Sequence, residues 1–221
     1  VNGKLTIICG HYGSGKTNFA INYAIDEARK GKKITLADMD VVNPYFTSSE
    51  YSDVLRKNNI NVISPTFAVT NMDIPAIPAS MGSLFDSSDD VIIDAGGDDA
   101  GAIVLGRFSE MIRGREYTML YVTNMYRPFT SDAEGSVDIL RDIEKVCGLK
   151  ASAVVNNSHL KDLTTPSIIT DSIGYAKDVA NKAGIPLLFT VVPRSMTSKL
   201  SKEENFYPVD VYVKAIWENG Q

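Results

Sequence analysis

Cysteine is nearly absent from this 221-residue chain, with Cys9 and Cys147 far apart and no CxxC companion for either. That scarcity excludes a disulfide framework, argues against a paired-thiolate metal site and suits a reducing cytoplasm. Basic runs are missing as well. Lysine and arginine number 22 against 27 acids, a formal net charge of -5, and the nearest thing to a basic cluster, Arg107, Arg113 and Arg115, is interleaved with Glu110 and Glu116. Nucleic acid is therefore not expected as a partner. No apolar run approaches the roughly 20 residues needed to span a bilayer, and the first residues lack a charged-then-apolar leader pattern. Membrane contact is not expected either, and the chain reads as a soluble protein. Repeats and low-complexity linkers are also missing, so residues 1–221 are expected to form one domain.

What is present is an alternation of short β-rich runs with longer helical patterns. Leu5-Cys9, Ile34-Ala37, Asn61-Ile63, Val91-Asp94, Thr118-Thr123, Ala153-Asn156 and Leu187-Val192 are the candidate strands. Their spacing predicts an α/β fold with a mostly parallel sheet, and their apolar composition predicts helices on both faces. Gly31 is expected to end the first helix, Ser131-x-x-Glu134 to form a capping box, and Thr165-Pro166 to open another helix. The irregular stretch Ser64-Met81, with three prolines, reads as a surface or partner-facing loop. At the other end, Val209, Tyr212, Val213, Ile216 and Trp217 fall at helical spacing. With one lysine on its polar face, that helix is expected to dock on the sheet rather than on lipid.

Gly10-His11-Tyr12-Gly13-Ser14-Gly15-Lys16-Thr17 satisfies G-x-x-x-x-G-K-[ST] between an apolar strand and a helix. Phosphate needs a ring of backbone N–H groups with no side chains in the way, and the following helix aims its N-terminal dipole at the same anion. Lys16 is expected on the outer phosphates and Thr17 on Mg²⁺. Three acids fall at strand ends: Asp38 and Asp40 after the second strand, and Asp94, opening Asp-Ala-Gly-Gly, after the fourth. Ligands of open parallel sheets bind beyond the carboxyl ends of strands, so these acids should reach the loop's phosphates.

Together, GHYGSGKT, LADMD, IIDAGG and the VVNN at Val154-Asn157 resemble the ParA/MinD family of ATPases, within the P-loop NTPases. The resemblance implies a three-layer P-loop NTPase fold, ATP/ADP and Mg²⁺ as cofactors, and an ATPase that drives assembly or delivery of an unknown protein partner through a nucleotide-dependent homodimer. By the same resemblance the nucleotide contacts run through Gly10, His11, Tyr12, Gly13, Ser14, Gly15, Lys16, Thr17 and Asn18. Thr17, Asp38 and Asp94 would hold the metal or its waters, Lys16, Asp38 and Asp40 would carry catalysis, and Gly97 would lend its amide to the γ-phosphate. Asn156 would read the adenine edge, and Pro193 and Arg194 would wall the base.

The family's loop usually carries a lysine, second in the loop, that crosses to a partner's nucleotide. Here that position is His11, followed by Tyr12. A charged His11, an arginine such as Arg127, or a site that is not shared are the alternatives. The same spelling resembles the GTPase metallochaperones for nickel enzymes, although Asn156-Asn157-Ser158-His159 is not the N-K-x-D of those proteins and Cys9, His11 and His159 form no compact motif. A small-molecule kinase or ligase related to dethiobiotin synthetase is the further reading, with an acceptor near Asn43-Pro44-Tyr45-Phe46 or the Ser64-Met81 loop. A nucleotide-binding module without turnover is the last.

Overall fold

Parallel pairing runs through the whole sheet of the computed structural model, which describes residues 3–40, 49–63, 80–97, 99–160, 163–201 and 204–213. Strands β1 (Leu5–Cys9), β2 (Ile34–Met39), β3 (Asn61–Ile63), β4 (Asp90–Ala95), β5 (Tyr117–Thr123), β6 (Ala153–Asn156), β7 (Leu187–Pro193) and β8 (Phe206–Val209) lie in the order β3-β2-β4-β1-β5-β6-β7-β8. The helices are α1 (Lys16–Arg29), α2 (Ser49–Lys57), α3 (Ser80–Ser83), α4 (Asp99–Arg107), α5 (Ser109–Arg113), α6 (Ala133–Cys147) and α7 (Pro166–Ala183). Every candidate strand read from the sequence appears, with ends shifted by two residues at most.

The central strands are apolar throughout because both of their faces are covered. Along β1 the alternation is direct: Leu5, Ile7 and Cys9 enter a core closed by Leu105, Ile112, Leu140 and Val179. Ile8 enters the opposite core, with Phe19, Ile21 and Ile25 of α1 and Leu55 of α2. Sheet and helices thus make three layers. Because all strands run the same way, their carboxyl ends gather at one edge, and β1 lies between β4 and β5 at the centre of it.

Local punctuation behaves as expected with one exception. Thr165 caps α7, its hydroxyl accepting the Ile168 N–H at 3.3 Å ahead of Pro166. For α6 the cap is Asp132, not Ser131: Asp132 has the extended backbone, and its carboxylate accepts the Gly135 N–H at 2.8 Å.

The C-terminal segment differs more. Instead of a helix from Pro208, residues Phe206–Val209 form β8, paired with Thr190–Pro193 of β7. Proline lacks a ladder donor, so an edge strand tolerates Pro208 where a central one would not. Residues 214–221, and with them Ile216 and Trp217, lie outside the described residues. The sparse arginine cluster is structural in part: Arg113 donates to Gly148 O at 2.8 Å, and Arg115 to Phe85 O at 3.0 Å and to Gly3 O. Among the described residues no helix is long and apolar enough to cross a membrane.

Candidate nucleotide site

The loop between β1 and α1 turns because its glycines take backbone angles that other residues resist. Gly15, the residue ahead of α1, has φ 85°, and a Cβ there would lie 2.3 Å from Asn157 Nδ2. Only glycine meets both conditions. Ser14 N–H donates to His11 O at 3.2 Å, and Phe19 N–H donates to Gly15 O at 3.1 Å, which starts the helix. Lys16 is largely buried, and its ammonium donates to His11 O at 3.2 Å across the loop.

The acids arrive as strand geometry requires. Asp38 and Asp94 are register partners across β2 and β4, and Asp94 also pairs with Ile8 of β1. Both carboxylates are buried. Thr17 Oγ1 donates to Asp94 Oδ2 at 2.7 Å, while Asp94 Oδ1 is buried with no hydrogen-bond partner among the described residues. Burial pushes the Asp94 carboxyl up to about 6; Lys16 and the Thr17 hydroxyl pull against that rise, and Asp40 adds to it. Hard oxygen donors, a paired hydroxyl and carboxylate, and an uncompensated buried oxygen form a donor set that fits Mg²⁺. Asp40 is half-buried and lies one residue beyond the end of β2, its N–H donating to Asp38 Oδ1 at 2.8 Å. A side chain on Gly97 has no room, since its Cβ would lie 2.6 Å from both Lys16 Nζ and Tyr12 Cα.

The base-side assignments fare differently. Asn156 is fully buried, and its amide donates to Ser172 Oγ at 2.9 Å and Thr190 Oγ1 at 3.3 Å while its oxygen accepts the Ser158 N–H at 3.2 Å. That amide is spent within the protein. The neighbour that does reach the loop is Asn157, whose Nδ2 donates to Ser14 O at 2.6 Å and whose Oδ1 is buried without a hydrogen-bond partner among the described residues. Asn18 and Asn22 of α1 face the segment that follows β8. Asn18 donates to Asp210 O at 3.0 Å and accepts from Tyr212 N at 2.8 Å, and Asn22 accepts from Asp210 N at 2.8 Å. Pro193 ends β7 opposite Val209. Arg194 pairs with Asp210 at 3.0 Å.

His11 Nδ1 donates to Tyr12 O at 2.9 Å, and its ring lies 5.3 Å from that of Phe129. Tyr12 and Phe129 are exposed. Arg127, from the turn after β5, donates through Nε to Gly13 O at 2.8 Å. Cys9 lies inside β1, fully buried, and burial drives its thiol far up from the ordinary range. Among the described residues no group of three His, Cys, Asp or Glu side chains is placed to hold a metal ion. Asn43-Pro44-Tyr45-Phe46 and residues 64–79 lie outside the described residues.

No protein-family model matches the chain, and no curated protein matches it by sequence. Solved structures do. The cell division protein FtsY of Thermotoga maritima superposes with a TM-score of 0.58 at 20% identity, over 86% of this chain and 62% of that one. The signal recognition particle receptor FtsY of Elizabethkingia anophelis gives 0.54 at 15%, over 89% and 61%. The 54 kDa protein of the signal recognition particle from Aeropyrum pernix, in complex with GDP, gives 0.56 at 18%, over 86% and 41%. The likeness is one of fold. This chain has the three-layer α/β P-loop NTPase fold, and it spans about three fifths of the length of the FtsY proteins it matches.

These matches correct the family resemblance. They are FtsY proteins and a signal recognition particle protein, not ParA/MinD ATPases, and the nucleotide in the last is GDP. ATP and ADP, the ATPase activity and an adenine edge at Asn156 are not carried forward. Nor is the strict homodimer, which does not stand beside proteins named as a particle component and that particle's receptor. The exclusion of nucleic acid, which rested on overall composition, is withdrawn with it.

Proposed function

We propose that this chain is a guanine-nucleotide switch that binds GTP with Mg²⁺ and hydrolyses it to GDP and phosphate. The observation that carries the reading is the 2.7 Å contact between Thr17 and Asp94, directly beside buried Lys16 at the carboxyl ends of β1 and β4. A hydroxyl and a buried acid paired there are the two oxygen donors that would hold a divalent cation or its waters. GDP in the Aeropyrum pernix protein of the same fold supports guanine as the base.

Thr17 and Asp94 would hold Mg²⁺ or its waters, and the ion would supply positive charge against that of the phosphates. The chain's own groups do the rest. Loop N–H groups surround the phosphates, and Lys16 exchanges the His11 carbonyl for a phosphate oxygen. Asp40, half-buried beyond β2, orients the attacking water. Gly97, crowded between Tyr12 and Lys16, presents its amide to the γ-phosphate and is released when that group leaves, the order-to-disorder change by which such switches report their state. A different protein, rather than a second copy, is favoured as the partner by the names of the matching structures. The two cysteines, both free and buried, fit a reducing cytoplasm.

Displacement of a fluorescent GDP analogue in Mg²⁺ buffer tests the reading. GTP is expected to compete at a concentration at least tenfold below that of ATP, with phosphate released over time. ATP competing as well as GTP, or neither competing, would overturn it. Within the same assay Asn157→Ala is expected to weaken GDP by about tenfold, because it frees the Ser14 carbonyl that Asn157 now holds. Unchanged affinity would show that the loop keeps its shape without that brace.

A further inference from the structure

Arg127 stands on a turn that is fixed before any ligand arrives. Asn124 Oδ1 accepts the Tyr126 N–H at 2.9 Å, and Asn124 O accepts the Thr130 hydroxyl at 2.6 Å. Ser158 Oγ accepts the Met125 N–H at 2.9 Å, and the Tyr126 hydroxyl donates to Ile168 O at 2.8 Å. Asn124 and Thr130 are buried. From this base the Arg127 guanidinium lies along the phosphate loop, with Nε 2.8 Å from Gly13 O and 3.4 Å from where a Cβ on Gly13 would be. Its terminal amines have no hydrogen-bond partner among the described residues.

The place matters as much as the charge. Gly13 follows Tyr12, whose backbone touches Gly97, so this part of the loop borders the region assigned to the terminal phosphate. A triphosphate carries more charge than Lys16 alone balances, and the second loop position holds a histidine whose Nδ1 is engaged with Tyr12 O. A guanidinium that uses only Nε to dock keeps its other donors for phosphate oxygens, which it meets in a planar fork. Because the turn is already ordered, little further entropy is lost when those bonds form.

We propose that Arg127 is a catalytic residue supplied within the chain, which hydrogen-bonds the outer phosphates and stabilises the charge that develops during hydrolysis. The inference rests on the guanine-nucleotide reading above. In the step, the water oxygen bonds to the γ-phosphorus as the bond from that phosphorus to the β-γ bridging oxygen breaks. The bridging oxygen leaves on GDP with the electron pair, and one water proton is given up to the released phosphate or to solvent. Arg127 N–H groups meet the charge that gathers on the bridging and terminal oxygens, a contribution worth on the order of a thousandfold or more in rate where arginine performs it.

Single-turnover GTP hydrolysis by the wild type, Arg127→Ala and Arg127→Lys tests this, with GDP affinity measured for each. The expected result is a rate at least a hundredfold lower for Arg127→Ala, GDP affinity within threefold of wild type, and less than tenfold recovery in Arg127→Lys. A rate that Arg127→Ala leaves within threefold overturns the inference alone. So does an equal loss of GDP affinity with an unchanged rate, which would make the guanidinium only a brace for Gly13. A wild type that hydrolyses no GTP overturns the functional reading and this inference together.

Discussion

Replacing Asp94 with asparagine is expected to remove a loss of stability that the metal-free protein suffers as pH rises from about 4 to about 6, and to lower Mg²⁺-dependent turnover sharply. Burial is the main cause of the raised carboxyl, with Lys16 and Thr17 opposing it and Asp40 adding to it. In the unfolded chain the same carboxyl titrates near its ordinary value of 3.8. Between those two values the folded protein binds a proton that the unfolded chain has released, so stability falls with rising pH and stays low above the folded value. A rise from 3.8 to about 6 corresponds to about 3 kcal/mol. An asparagine does not ionise and removes that slope, although its amide nitrogen, placed where Asp94 Oδ1 now has no partner among the described residues, returns about 1–3 kcal/mol of the gain. Urea denaturation of both proteins at pH 4.5 and 7.5, without nucleotide or metal, isolates the difference. Wild type is expected to lose more stability than the variant across that range, and equal slopes would mean that the Asp94 carboxyl is already charged at acid pH. Turnover in Mg²⁺ is expected to fall on the order of a thousandfold, since the cation loses a charged neighbour.

The second large effect is that of Lys16→Ala. The ammonium is largely buried and already turned across the loop to His11 O, so truncation leaves bound phosphate with a desolvated negative charge that has lost its buried partner. Losing one partner of such a pair costs about 2–5 kcal/mol, so GTP affinity is expected to fall by about a hundredfold or more, and GDP affinity by less. Titration calorimetry with a non-hydrolysable GTP analogue and with GDP measures both. Equal losses for the two nucleotides would put Lys16 on the inner phosphates. The two substitutions are also coupled. Lys16 opposes the rise of the Asp94 carboxyl, so Lys16→Ala is expected to extend the Asp94 stability loss above pH 6. In turnover the double variant should be no worse than the weaker single one by more than a small factor.

The parts of this site that were legible in the sequence are those whose requirements are local. A phosphate loop needs its glycines and Lys-Thr at fixed spacing, and Asp94 declares itself by standing at the end of an apolar strand. Asn156 and Asn157 show where that legibility stops. Successive residues at a strand end face opposite ways, and sequence alone did not say which asparagine turns inward to Ser172 and which turns to Ser14. β8 was hidden for a similar reason. Val209, Tyr212 and Val213 have helical spacing, but Asn18 and Asn22, nearly two hundred residues earlier, fix the backbone from Asp210 to Val213 in a different form. Arg127 touches Gly13 across 114 residues, and no spacing rule relates the two. The family assignment failed on the same ground. Loop and strand-end motifs are common to many P-loop proteins, whereas the choice of base and partner depends on side chains brought together only by the fold.

The long reach of these contacts also sets an order of events as the chain folds. Strand β1 and the loop that follows it precede β4 and β5, which enclose β1, and the residues that brace the loop come later still. Asp94 lies 77 residues beyond Thr17, and Asn157 lies 143 residues beyond Ser14. Parallel pairings of such sequence separation form slowly, because loop-closure entropy is lost before any contact rewards it. The loop therefore matures only after strands and side chains synthesised later have closed around it. A nucleotide that recognises the finished loop selects chains in which the central strands have already closed, and by mass action it retains them there.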